Sequence, residues 1–173
     1  MDFLELMKKR RSIRAFEARP VEPGKIQAVL EAADAAPSAG NLQAYRMVCV
    51  TEPSGRRALA AAALGQGFVA EAPVAIVFLA DPTVASSRYG EPGRRLFCIQ
   101  DATIACAYAQ LRAADLGLGS VWVGAFDENA VSRAVDAPRD LLPVAVLPIG
   151  YPAEDPGPTP RRGIAGLVSR EKM

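Results

Sequence analysis

The alternation of apolar and polar positions divides the chain into helical and extended stretches. In "VEPGKIQAVLEAADAA", Ile26, Val29, Leu30 and Ala33 recur at the spacing of one helix face, with Pro23 near the start. That helix must end before Pro37, because a proline ring disfavours helical backbone in the residue ahead of it. "YRMVCV" predicts a strand, and "SGRRALAAAAL" is helical by propensity with Ser54 as its N-cap. "VAIVFLA", Val74 to Ala80, is apolar without interruption and predicts a central strand buried on both faces. A long helix should span Arg94 to Leu116, closed by Gly117. "SVWVGAF" then reads as a short strand or extended turn, Asp127 as the cap of a short helix, and "PVAVLPIG" as the last core strand. Strands alternating with helices indicate an α/β or α+β sandwich. The tail "YPAEDPGPTPRRG" is rich in Pro and Gly and should run over the surface.

The amino end is less ordinary. Asp2-x-x-Glu5 has the pattern of a capping box, ahead of an apolar stripe of Phe3, Leu6 and Met7. Continued at helical period, the same face receives Arg10 and Arg14, two cations that repel one another at this spacing. The chain as a whole offers no reason for this. Its 20 basic and 19 acidic residues leave a net charge of +1, which argues against a general electrostatic strategy toward nucleic acid or membrane. A twin-arginine export signal would need an apolar segment directly after Arg10-Arg11, where the chain instead reads "SIRAFEARP". A solvated helix end favoured by the helix dipole accounts for Lys8, Lys9 and Arg11 but leaves Arg10 and Arg14 unexplained. The cluster therefore calls for a local anion.

Composition removes several kinds of chemistry. The 173 residues, half of them hydrophobic, suffice for one domain with a sizeable core. The expected organisation is a single domain over 1–173 with an extended tail from about residue 151. With no histidine, His metal sites, Cys–His nucleophiles and Ser–His–Asp triads are excluded. Cys49, Cys98 and Cys106 are odd in number, lack a CxxC and lie in apolar segments, which suits buried thiols in a reducing cytoplasm. No internal repeat or transmembrane-length run is evident.

Four segments could carry function. Arg10-Arg11-Ser12-Ile13-Arg14 combines guanidiniums with a hydroxyl, donors matched to phosphate oxygens. "APSAGNLQAY" would be explained as a loop by its Pro, Ser, Gly and Asn alone, yet Asn41 and Gln43 alternate with apolar neighbours at a strand entrance. Such amides, with donors and acceptors together, could read the edge of a planar heterocycle. In "GLGSVWVGAF", glycines beside Trp122 permit close approach to a ligand, although a capped helix followed by a strand explains them nearly as well. Arg161-Arg162 closes the set in the tail. Gly65-Gln66-Gly67-Phe68-Val69-Ala70 fits G-x-G-x-x-A, but it follows an Ala-rich helix where a dinucleotide-binding turn would follow a strand.

"RRSIRAF", "APSAGNLQAY", "FVAEAPVAIV", "GLGSVWVGAF" and the late "PRRG", in that order, give the chain a resemblance to the FMN-dependent nitroreductase family over essentially its whole length. The resemblance implies an α+β sandwich, a central mainly antiparallel sheet flanked by helices, dimeric, with two FMN molecules at the subunit interface. Arg10 and Ser12 would hold the FMN phosphate, helped by Arg162 from the tail, with Arg11 and Arg161 also among the cofactor-binding residues, and Arg14 would lie near N1 and O2 of the isoalloxazine. Pro37, Ser38, Ala39, Asn41 and Gln43 would reach the flavin from the partner subunit. Trp122, Val123 and the backbone N–H of Gly124 would face N5, with Gln66 at the pyrimidine edge.

No side chain would act as the catalyst, since flavin N5 carries the hydride and Arg14 and Gly124 tune it. The implied activity is transfer of hydride from NADH or NADPH to nitroaromatic, quinone or similar acceptors by a ping-pong mechanism. Reductive dehalogenation, flavin fragmentation and non-catalytic flavin binding are the alternatives. Partners would be a second copy of the chain and a small-molecule acceptor, with no nucleic acid and no membrane. Where many members read P-S-S-x-N-x-Q-P-W, this chain has Ala39, Ala44 and Tyr45. Gly124 stands where some larger members carry an acidic residue. The seam Cys98, Ala102, Ala105, Ala109 and Ala113 on the long helix would suit a dimer contact or internal packing.

Overall fold

The computed structural model describes residues 2–172. Its helices are α1 (Phe3–Lys9), α2 (Pro23–Asp34), α3 (Pro53–Ala62), α4 (Phe68–Glu71), α5 (Pro82–Pro92), α6 (Cys98–Asp115) and α7 (Glu128–Ala134). The strands β1 (Tyr45–Val50), β2 (Val74–Ala80), β3 (Gly119–Ser120) and β4 (Leu142–Gly150) form one antiparallel sheet in the order β1-β2-β4-β3. This is the expected α+β architecture, with helices on both faces of the sheet.

β2 shows why the uninterrupted apolar run was needed. Successive side chains point to opposite faces, so Val74, Ile76, Phe78 and Ala80 enter one core and Ala75, Val77 and Leu79 the other. Val29 and Ala33 of α2 and the inner face of α6 close the first core. Leu59 of α3, Val69 of α4 and Val131 of α7 close the second. The seam residues Cys98, Ala102, Ala105, Ala109 and Ala113 are all fully buried in the first core. They serve internal packing, not a dimer contact, because their small size lets α6 sit close to both α2 and the sheet. Enlarging Ala105 to Leu would overpack that contact at a cost of about 1–3 kcal/mol.

Several local expectations are corrected. Pro53 occupies the first turn of α3 and Glu52 precedes it, so Ser54 lies inside the helix and is no cap. Asp2 precedes α1 without a capping bond from its side chain. By contrast, Asp127 accepts from the Ala130 N–H at 2.8 Å and does cap α7. The long helix expected over Arg94 to Leu116 is helical throughout, but its first stretch, Gly93–Phe97, is wound as a π-helix that runs directly into α6. α5 was not anticipated, since "PTVASSRYGEP" has little apolar periodicity; Asp81 starts it by accepting from the Val84 N–H at 3.0 Å. Cys98 and Cys106 are buried as expected, whereas Cys49 is exposed on β1. Burial pushes the Cys106 thiol strongly up, away from the reactive thiolate.

Candidate functional site

The face expected to carry Arg10 and Arg14 together does not exist as a helix face. α1 ends at Lys9, and Arg10 terminates it by donating its backbone N–H to Leu6 O at 3.0 Å. The chain then extends, because Ser12 pairs alongside Ser120 and the Ile13 N–H donates to Ser120 O at 3.0 Å. Gly119 makes this possible, since a Cβ there would stand 2.9 Å from Ile13 side-chain atoms. In extended backbone neighbours alternate sides, so Ile13 is buried and Arg14 exposed. Arg14 and Ala15 are held by their backbone N–H groups, both bonded to the Glu154 carboxylate, the second at 3.1 Å. The helix itself buries none of its residues: Phe3, Leu4 and Met7 are 60%, 58% and 41% exposed.

This path leaves a cleft of 770 Å³ between α1 and the tail, lined by Leu4, Met7, Lys8, Arg10, Arg11, Ser12, Pro158, Thr159 and Arg161. Its ionisable lining is wholly basic. Among the described residues no acidic side chain pairs with Arg10, Arg11 or Arg161. Burial, followed by the nearby charges of Arg161 and Arg11, pulls the Arg10 pKa below its ordinary value. Crowded, partly desolvated cations without a counter-charge are unfavourable alone and become favourable once an anion enters. A phosphate fits this donor set. Arg162 follows Arg161 in the exposed tail and does not line the cleft.

The second segment runs from α2 into β1. Pro37 follows the helix end, and a single tight turn spans Ala39–Asn41. Gly40, Asn41 and Gln43 have left-handed backbone, with φ of 56°, 57° and 50°. Asn41 and Gln43 are therefore exposed turn residues, not alternating residues at a strand entrance. Ser38 Oγ accepts the Gln43 N–H at 2.9 Å, and Asp101 of α6 accepts the Ala39 N–H at 2.9 Å and the Ala44 N–H at 3.4 Å. Pro37, Ser38 and Ala39 line a separate 470 Å³ hollow with Gln100, Asp101, Thr103 and Ile104. Tyr45 is buried and donates its hydroxyl to Ala33 O at 2.9 Å, so its ring is part of the core.

The third segment leaves β3. Val123 is buried and paired with Val146, Trp122 is half-buried against the first core, and Gly124 is exposed. Gln66 Nε2 donates to Ala63 O at 2.9 Å and to Ala125 O at 3.2 Å, which ties the α3–α4 turn to the chain after Gly124. A 260 Å³ recess containing Gly124 is lined also by Ile99, Phe126, Glu128, Leu142, Pro143 and Val144. Ser12 beside Ser120 connects the arginine cleft to this segment within one chain. The Ser38–Gln43 loop lies against α6, and its hollow shares no lining residue with the cleft or the recess.

Sequence reasoning missed Asp101, Tyr89 and Arg88. The last two lie on unanticipated α5 and press on Gly40, where a Cβ would stand 2.4 Å from the Tyr89 hydroxyl. A buried Asp on an Ala-rich helix face was the available signal for Asp101. Among the described residues no group of His, Cys, Asp and Glu could hold a metal ion, and no helix is long and apolar enough to cross a membrane.

Comparison with known proteins bears on the fold and the family. The model of the Nitroreductase family matches residues 7–67 and 60–151. The chain is 36% identical to a NADH dehydrogenase of Thermus thermophilus over 187 residues, spanning 92% of this chain and 91% of that one. It is 31% identical to an oxygen-insensitive NADPH nitroreductase of Salmonella typhimurium, spanning 91% of this chain and 69% of that one. The NADPH:FMN oxidoreductase of Vibrio harveyi, solved with NAD+, superposes at a TM-score of 0.90 with 26% identity over 98% of this chain and 77% of its own. A nitroreductase family protein of Streptococcus pneumoniae gives 0.88 with 25% identity, over 98% and 100% of the two chains. With the family model matched over most of its length and a relative 36% identical across 92% of it, this chain belongs to the nitroreductase family.

Proposed function

We infer that this protein is an FMN-dependent oxidoreductase that takes hydride from NAD(P)H and delivers it to small acceptors such as nitroaromatics and quinones. The observation that carries the reading is the acid-free cleft of Arg10, Arg11, Ser12 and Arg161 in a chain of this family. Relatives described as FMN reductase [NAD(P)H] from Bacillus subtilis and as NADPH nitroreductase support the cofactor and the electron donor.

Arg10 and Ser12 would hold the phosphate, with Arg11 and Arg161 adding charge across the cleft mouth. Each charge-assisted contact is worth about 1.5–3 kcal/mol. When bound, FMN supplies the hydride-carrying centre that this histidine-free chain lacks. The chain's part is orientation. Gly124, exposed beside Trp122, would offer its backbone N–H, and Gln66 steadies the chain next to it. Ser38, Asn41 and Gln43 offer amide and hydroxyl groups beside a hollow that shares no lining residue with the cleft or the recess of the same chain, which supports a homodimer in which they serve the neighbouring copy's cofactor. The exposed apolar residues of α1, with Leu96 and Tyr108 and with Ile164 and Leu167 of the tail, are surface for such a partner.

Steady-state assays with NADH and NADPH against a panel of nitro compounds and quinones test the function. Parallel double-reciprocal lines are expected, because donor and acceptor would use one site in turn. Absence of nucleotide oxidation with every acceptor would replace this reading by non-catalytic flavin binding.

A further inference from the structure

Asp101 is a buried carboxylate on α6. It is 2% exposed and borders the hollow that Ser38, Ala39, Gln100 and Thr103 also line. Among the described residues no Lys or Arg pairs with it. Its two oxygens are used separately: Oδ1 accepts the Ala39 N–H at 2.9 Å and Oδ2 accepts the Ala44 N–H at 3.4 Å. Those two N–H groups stand on either side of Gly40, Asn41 and Gln43, the three left-handed residues of the loop. Left-handed backbone at a non-glycine residue is sparsely populated and persists only where the surroundings over-determine it. The Ser38 hydroxyl fixes one internal turn, and Tyr89 and Arg88 wedge Gly40 from α5, with Arg88 donating to Gly40 O at 3.3 Å.

We propose that Asp101 is the positioning residue of the cofactor loop, clamping it at both ends so that Ser38, Asn41 and Gln43 are presented in one conformation. The proposal rests on the FMN reading above. The chemistry explains why the clamp is an acid. Two N–H groups converge on one side chain, and only a carboxylate offers an acceptor to each; an asparagine would turn its NH₂ toward one of them. A buried acid without a basic partner is a poor choice for stability alone. Here it keeps a strained loop in register with α6, the helix that also lines the hollow beside Ser38.

The test measures FMN release from the full-length holoprotein, by flavin fluorescence after dilution, for wild type, Asp101→Asn, Ala39→Pro and the double variant. Ala39→Pro deletes the donor of the 2.9 Å bond and leaves the charge in place, and Ser38, at φ −139° and ψ 158°, already has the backbone a proline requires ahead of it. Each single change should speed release about 10–100-fold. The double variant should release no faster than the faster single, because both break one clamp. Wild-type release from Asp101→Asn, or effects that multiply in the double variant, would overturn the positioning role. If Asp101→Asn does not fold, Ala39→Pro alone decides, and wild-type release from it overturns the proposal. A wild-type protein that binds no FMN at all would instead overturn the cofactor reading, and this proposal with it.

Discussion

Replacing Arg10 by Met removes a charge and keeps an unbranched apolar stem of similar length. In the folded protein without phosphate, the Arg10 cation is disfavoured by burial and by Arg161 and Arg11, as its lowered pKa records. Removing it should leave the thermal midpoint of the apoprotein at or above that of wild type. FMN should respond in the opposite sense. Loss of one charge-assisted contact to a dianion, about 1.5–3 kcal/mol, corresponds to an affinity roughly 10–150-fold weaker. Riboflavin has the same ring and no phosphate, so its affinity should be the same for both proteins. Fluorescence titration of apoprotein with the two flavins reads the difference, and repetition at raised salt should shrink it. Equal FMN affinity for variant and wild type would refute the phosphate assignment. An equal loss for riboflavin would show that Arg10 supports the fold of the cleft and not the anion.

Light scattering should give a particle of twice the chain mass, and Tyr108→Glu on the exposed side of α6 should yield monomers that lose FMN; a monomer that retains it tightly would contradict the shared site. Tyr151 links α2 to the start of the tail, donating to Glu22 Oε2 at 2.7 Å and accepting from Lys25 Nζ at 2.6 Å. The hydrogen bond from Tyr151 is the main cause that holds Glu22 below its ordinary pKa, and the bond to Tyr151 the main cause that raises Lys25. The Glu22 contribution is present above the ordinary carboxylate value and is lost as pH falls through the depressed one. The Lys25 contribution is full below the ordinary lysine value and is lost as pH rises through the raised one. Tyr151→Phe should therefore lower the melting midpoint at pH 7, with the difference narrowing below about pH 4 and above about pH 11. A constant difference across that range would show that the hydroxyl acts independently of the charges on Glu22 and Lys25.

What the sequence determined by itself was whatever a local pattern encodes. The apolar run Val74–Ala80 specified a strand buried on both faces, and the spacing of Ile26, Val29, Leu30 and Ala33 specified the face of α2. The ordered segments from Arg10 to Arg161 specified the family and the basic side chains that line the cleft. Tertiary structure decided what depends on partners distant in the chain. Arg14 left the helix face because Ser12 and Ile13 found a hydrogen-bonding edge at Ser120, more than a hundred residues away. The small-residue seam faced inward because α2 and the sheet were there to receive it. Asn41 and Gln43 took left-handed backbone, which local preference opposes, in a loop held by Asp101 of α6, by the Ser38 hydroxyl and by Arg88 and Tyr89 of α5 against Gly40. Periodicity reports which side of an element is buried. What it is buried against, and which strained conformation that contact can hold, is set only when the elements meet.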